Sequence, residues 1–179
     1  MSTIRRDPVT GRQGIVASER GDRPRRFRES SDIPSDPEHC PFCRGNEEAT
    51  PPAIRTIPDE ADDWDVRVVP NKYPAVSSNV ELEEFGQAPY RSTSGVGAHE
   101  VIVETPEHVV DLHELSVDQI TTVLRAWGDR IADLRNDQRL EFVLPFKNQG
   151  APAGASIEHA HSQIMALPSV PPRITEELD

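Results

Sequence analysis

Seventeen prolines spread along 179 residues rule out a helix bundle. Each proline lacks an N–H and fixes φ, so it ends helices and is confined to the turns and edges of sheets. Against that background one segment reads as a long helix, from Ser116 to about Asp137. Ser116 is placed to cap it, with Gln119 three residues on completing a capping box. Val117, Ile120, Leu124, Trp127, Ile131 and Leu134 follow steps of three and four and predict one apolar stripe facing a core. Alternating apolar runs predict strands at 65–69, 98–104 and 140–146, the first two closed by Pro70-Asn71 and Thr105-Pro106. A fourth strand is expected from about Ile157 to Leu167, and residues 75–97, rich in Ser, Gly and Glu, read as a loop. One helix against antiparallel strands is an α+β domain.

Charge narrows the partners. Thirty-one acidic against 19 basic side chains leave a net charge of −12, which disfavours a nucleic-acid polymer. An anionic substrate must then be held by a local cluster of cations. The basic residues are 17 Arg and 2 Lys, Lys72 and Lys147, a surface style that fits both salt adaptation and high-GC coding. No apolar run approaches the ~20 residues that span a bilayer. The arginines near the N-terminus come without an apolar core segment, so no secretory signal is expected and a cytoplasmic location is. Residues 1–39, with eight arginines and little periodicity, read on composition as a mobile basic arm preceding a domain at 40–179.

The two cysteines stand together as Cys40-Pro-Phe-Cys43. Half a zinc site, a redox pair and two incidental thiols are the three readings, and the polar, turn-rich surroundings suit a metal best. The candidate partners are His39, His99, His108, His113, His159 and His161. In a strand, His159, His161, Gln163 and Met165 share one face, and the two histidines lie about 6.5–7 Å apart at Cα. Both could then ligate one zinc, or one could ligate while its neighbour reacts. The small-residue loop 147–156 offers backbone donors of the kind that cradle phosphate, and Gln163 could donate to an oxygen on which charge builds.

Several motifs in order resemble one family. Cys40-Pro-Phe-Cys43 through Ile54, Val69-Pro-Asn-Lys-Tyr-Pro74, and Gly150 through Gln163 look like galactose-1-phosphate uridylyltransferase, of the histidine-triad superfamily of nucleotidyl transferases and hydrolases. The resemblance implies a histidine-triad-like antiparallel sheet, a half-barrel, with one long amphipathic helix. It implies that His161 is the nucleophile carrying the nucleotidyl group and that Gln163 hydrogen-bonds the phosphoryl group. It further implies a structural zinc on Cys40, Cys43, His108 and His159, and nucleotide or phosphate contacts from Asn71, Asn148 and Ser156. Ser18-Glu-Arg20 and Arg23-Pro24 resemble the arginine motif that reaches the phosphates of a neighbouring subunit, so a homodimer is implied and the basic arm acquires a function. The implied reaction is ping-pong exchange between UDP-glucose and galactose 1-phosphate.

Two departures stand out. Ala160 replaces the proline of the family's usual His-Pro-His, and the Ile-Met-Ala-Leu-Pro that follows Gln163 also resembles ADP-glucose phosphorylases, which use phosphate as acceptor. The sequence stops at Asp179, about half the family's usual length, where Glu177 is the one candidate remnant of a second metal site. The competing expectations are therefore a phosphorylase or hydrolase of nucleotide substrates, and a zinc-stabilised nucleotide-binding module without turnover.

Overall fold

Nine strands and two α-helices are formed by the described residues, which are 2–22, 36–59 and 63–178 of this computed structural model. Five of the strands make the central sheet. They are β3 (Arg55–Ile57), β4 (Val66–Pro70), β7 (Ala98–Val103), β8 (Phe142–Phe146) and β9 (His161–Leu167), in the order β3-β4-β7-β9-β8. Every neighbouring pair is antiparallel. The expected α+β class, antiparallel sheet with one long helix, is what forms. The long helix is α1 (Val117–Leu134), and a short α2 (Pro172–Leu178) ends the chain. Among the described residues no helix is long and apolar enough to cross a membrane.

Alternation along β7 divides the sheet into two faces. Ile102 joins Val66, Val68, Ile164, Val123 and Ala126 in a core beneath α1. Val101 and Val103 point the other way and pack with Val69, Trp64, Cys40, Phe42 and Cys43. Register then decides which face carries the chemistry. His161 lies opposite Val103 and Gln163 opposite Val101, which puts both on the face away from α1.

Several expectations are corrected. Residues 75–97 are not all loop: β5 (Glu84–Gln87) and β6 (Tyr90–Ser94) pair as a hairpin. From the arginine-rich start, β1 (Thr3–Arg6) and β2 (Gln13–Val16) join that hairpin in a second antiparallel sheet, β2-β1-β6-β5. The fourth strand begins at His161 and not near Ile157, because the Ala160 N–H leaves the ladder and donates to the Val109 carbonyl at 2.6 Å. On α1, Ser116 caps the Gln119 N–H as expected (3.1 Å). The box is not closed, since the Gln119 side chain donates instead to the carbonyls of Asp65 (2.9 Å) and Glu104 (2.6 Å) and ties the helix to β4 and β7.

The apolar stripe of α1 is only partly as expected: Trp127 and Leu134 pack on the core and Ile120 and Ile131 are half-buried. Val117 and Leu124 are exposed, while Val123, Ala126 and Arg130 are buried. Arg130 is the charged member of the buried side. Its guanidinium grips the Glu100 carboxylate on β7 through two bonds of 2.7 and 2.9 Å, so it is buried between the apolar positions 127 and 131.

Candidate active site and metal centre

The Cys40–Cys43 knuckle is shaped by short-range hydrogen bonds. The 3-10 turn Pro37–His39 leads into it, and the Cys43 N–H donates to the Cys40 carbonyl at 3.2 Å. Asn46 closes it from inside, its side-chain amide donating to the carbonyls of Cys40 (2.8 Å), Glu38 (3.2 Å) and Pro37 (3.3 Å). Gly45, at φ +92°, makes the left-handed turn that lets the chain fold back. The Arg44 N–H then donates to the Pro106 carbonyl at 3.0 Å, fastening the knuckle to the turn that carries His108.

Four ligand groups converge there. One side-chain atom each from Cys40, Cys43, His108 and His159 lies within 4.8 Å of all the others. Sγ of Cys43 is 3.1 Å from Nδ1 of His108 and 3.6 Å from Nδ1 of His159, and Sγ of Cys40 is 3.5 Å from the latter. A tetrahedral centre with thiolate and imidazole bonds of about 2.3 and about 2.05 Å separates S from N by about 3.6 Å, so the donors fit a metal ion. The tautomer fits as well. Nε2 of His159 donates to the Thr105 carbonyl at 2.9 Å, which leaves the Nδ1 lone pair facing the sulfurs.

Electrostatics agree with a cation. Burial pushes His159 down to about 4, so its ring is neutral near pH 7 and ready to ligate. Burial, with Cys40 alongside, pushes the Cys43 thiol up to about 12. Two thiolates side by side need a positive charge between them, which a bound metal would supply. The same four residues are those that the resemblance implied as ligands. His39 instead pairs with Asp36 at 2.6 Å, and His99 and His161 lie outside the group. Glu177 also lies outside it, paired with Arg173 at 3.1 Å on the surface of α2.

His161 sits next to this centre but is oriented differently. Its Nδ1 lies 2.7 Å from the His159 carbonyl, which only accepts, so Nδ1 carries the proton and Nε2 the lone pair. Phe42, from within the knuckle, packs against both histidines, with ring centroids 5.1 Å from His161 and 5.9 Å from His159. Beneath the strand, Lys147 donates to the His161 carbonyl (2.9 Å) and to the Glu104 carboxylate (2.7 Å). Glu104 is fully buried, and Lys147 is largely so.

Gln163 belongs to a second group on the same face. Its Oε1 lies 2.9 Å from Nε2 of His99 and 3.4 Å from Nδ2 of Asn71. Arg20 reaches His99 from the 3-10 turn Ser18–Asp22, at 3.3 Å. Arg20, Asn71 and Gln163 are thus brought together, whereas Asn148 and Ser156 lie at separate points of the β8–β9 loop, the first half-buried and the second exposed. Arg23 lies outside the described residues. Sequence reasoning missed Phe42, Asn46 and the Glu104–Lys147 pair. Lys147 left a signal, being one of 2 lysines in a chain that otherwise uses arginine. Glu104 left none.

Known proteins are similar to this chain. Residues 1–171 match the family model described as galactose-1-phosphate uridyl transferase, N-terminal domain. An ADP-glucose phosphorylase of Arabidopsis thaliana is 39% identical, covering 98% of this chain and 51% of the relative. A galactose-1-phosphate uridylyltransferase of Thermotoga maritima is 32% identical, covering 97% and 49%. The chain therefore spans about half the length of the curated relatives it matches. Among solved structures, the Arabidopsis ADP-glucose phosphorylase with bound ADP-glucose superposes with a TM-score of 0.70 at 35% identity, over 100% of this chain and 53% of that one. A uridylyltransferase structure gives 0.72 at 33% identity, over 98% and 49%. The chain belongs to the galactose-1-phosphate uridyl transferase family and corresponds to its N-terminal domain.

Proposed function

We propose that this chain is the catalytic N-terminal half of a nucleotide-sugar enzyme that carries a nucleotidyl group on His161. The observation that supports it most is the tautomer of His161: with Nδ1–H bound to a backbone carbonyl, Nε2 holds the electron pair that attacks. Nε2 forms a bond to the α-phosphorus of a nucleotide sugar, the bond from that phosphorus to the bridging oxygen breaks, and hexose 1-phosphate leaves. An acceptor phosphate oxygen then attacks the same phosphorus and returns the electron pair to Nε2. Gln163 is the donor to the phosphoryl oxygens, and Arg20 and Arg23 supply positive charge that the chain as a whole lacks. Asn71, Asn148 and Ser156 complete the contacts with the nucleotide. Cys40, Cys43, His108 and His159 hold zinc, a structural ion that fixes the knuckle and with it Phe42 beside His161.

Two donor and acceptor pairs follow from the two kinds of relative. UDP-glucose with galactose 1-phosphate is the reading favoured by the family. ADP-glucose with phosphate is favoured by the greater identity to the Arabidopsis phosphorylase, 39% against 32%. The active form is a homodimer in the cytoplasm, and the arginine-rich residues 1–39 act with the domain at 40–179. Incubation with α-labelled UDP-glucose and ADP-glucose tests this reading. Labelled protein with one of them, chased by its own acceptor and lost in His161→Ala, is expected. Nucleotide binding with no label from either would leave a binding module and end the catalytic proposal.

A further inference from the structure

We infer that His99 is a positioning residue that fixes the direction of the Gln163 side-chain amide, so that its NH2 group and not its oxygen faces the reacting phosphoryl group. The inference deepens the proposed function, because it concerns the donor assigned there to Gln163. A glutamine amide presents either its oxygen or its NH2 to a neighbour, and heavy-atom positions alone do not say which. Here the network decides, because it ends on backbone N–H groups, which only donate.

The Ala75 N–H donates to Nδ1 of His99 at 3.0 Å. Arg20, whose guanidinium is also only a donor, approaches the same nitrogen at 3.3 Å. Nδ1 therefore holds the lone pair, and in the neutral ring the proton sits on Nε2. Nε2–H faces Gln163 at 2.9 Å, so the atom that Gln163 turns toward it must be the acceptor Oε1. Asn71 fits this answer. The Tyr73 N–H donates to Oδ1 of Asn71 at 2.9 Å, which turns Nδ2 of Asn71 toward both Nε2 of His99 (3.2 Å) and Oε1 of Gln163 (3.4 Å); with the proton on Nε2, Oε1 is the acceptor open to it. Two backbone donors two residues apart, Tyr73 and Ala75, thus set one polarity through Asn71 and His99.

The consequence is chemical. With Oε1 committed to His99 and Asn71, the NH2 of Gln163 is the group left to meet substrate on the strand face shared with His161. A reversed amide would point an oxygen at an anionic phosphoryl group and repel it as charge builds in transfer. His99 is 5% exposed and pinned at both nitrogens, so it holds this arrangement before substrate arrives.

Nitrogen NMR of the chain tests the inference without any substitution. The ring nitrogens of His99 are expected to report the Nε2–H tautomer, and the Nδ1–H tautomer or an imidazolium would overturn the proposal. His99→Phe removes the donor while keeping a planar ring. It is expected to shift the side-chain NH2 resonances of Gln163 and to lower kcat for nucleotide transfer about tenfold to a hundredfold with KM little changed. In a Gln163→Met background the same substitution is expected to change kcat less than about twofold, since the two residues act as one unit. Unmoved Gln163 resonances, or losses that simply multiply, would overturn the role of His99. Should no nucleotide sugar label the protein at all, the proposed function falls, and the tautomer and the Gln163 resonances still decide this inference separately.

Discussion

The two faces of the central sheet are held together by different physics. Under α1 the contacts are mostly apolar and undirected: Val66, Val68, Ile102, Val123, Ala126 and Ile164 are all but excluded from water. On the opposite face β7 and β9 carry His99, His161 and Gln163, beside Cys40, Cys43 and His159, and these positions follow from lone pairs and donors. An apolar face tolerates changes that keep volume, because the hydrophobic effect has no preferred direction. A face built from ligands and fixed tautomers tolerates almost none, because one reversed donor undoes its neighbour. The apolar core beneath α1 lies on the first face and the candidate site on the second, and β7 and β9 serve both by alternation.

The largest effect expected to expose this difference is removal of the metal. Cys43→Ser, or a strong chelator, should release the proposed zinc, and because an ion there would tie the knuckle to the His108 turn and to His159, Tm should fall by about 10 °C or more. Metal analysis alongside a thermal melt checks this, and unchanged zinc content in Cys43→Ser would defeat the proposed ligands. Next comes the one strongly directed contact on the helix face. Glu100→Leu leaves the buried Arg130 guanidinium without its carboxylate and should cost about 3–5 kcal/mol in urea unfolding. Replacing both partners with apolar residues should recover much of that loss, which would separate the penalty of an orphaned charge from the worth of the pair. Ser116→Ala removes the cap of α1 and should cost about 1 kcal/mol by the same measurement. Leu124→Gln, at an exposed position, should change stability by less than about 0.5 kcal/mol. A large loss at Leu124 would mean that the exposed side of α1 is covered by something else.

The apolar face was the easier one to read from sequence. Strands β4, β7 and β8 stand where alternation placed them, and α1 begins at its cap, since periodicity and capping are local properties of the chain. The stripe on α1 was partly right, with Trp127 and Leu134 on the core, but Arg130 is buried beside it by a partner thirty residues away in sequence, which no local pattern records. The hairpin β5–β6 escaped for another reason. Its turn, Ala88-Pro89, lacks the Asn-Gly or Asp-Gly signal, and its strands are polar and mostly exposed. β1 was hidden likewise, as Thr3–Arg6 buries only Ile4. The site reads differently again. Spacing suggested a CxxC and an HxH, but that Cys40, Cys43, His108 and His159 are the four that converge follows from geometry. His99 looked like one more possible ligand, and only the structure shows it between the Ala75 N–H and the Gln163 side chain.

The central claim is that His161, and not its ligand neighbour His159, carries the transferred group. The direct measurement is the site of covalent labelling after brief reaction with an α-labelled nucleotide sugar, read by mass spectrometry of the digested protein. The account predicts about one nucleotidyl group per chain, attached to His161, absent in His161→Ala and discharged when acceptor is added. Label on any other residue, or undiminished label in His161→Ala, would contradict it.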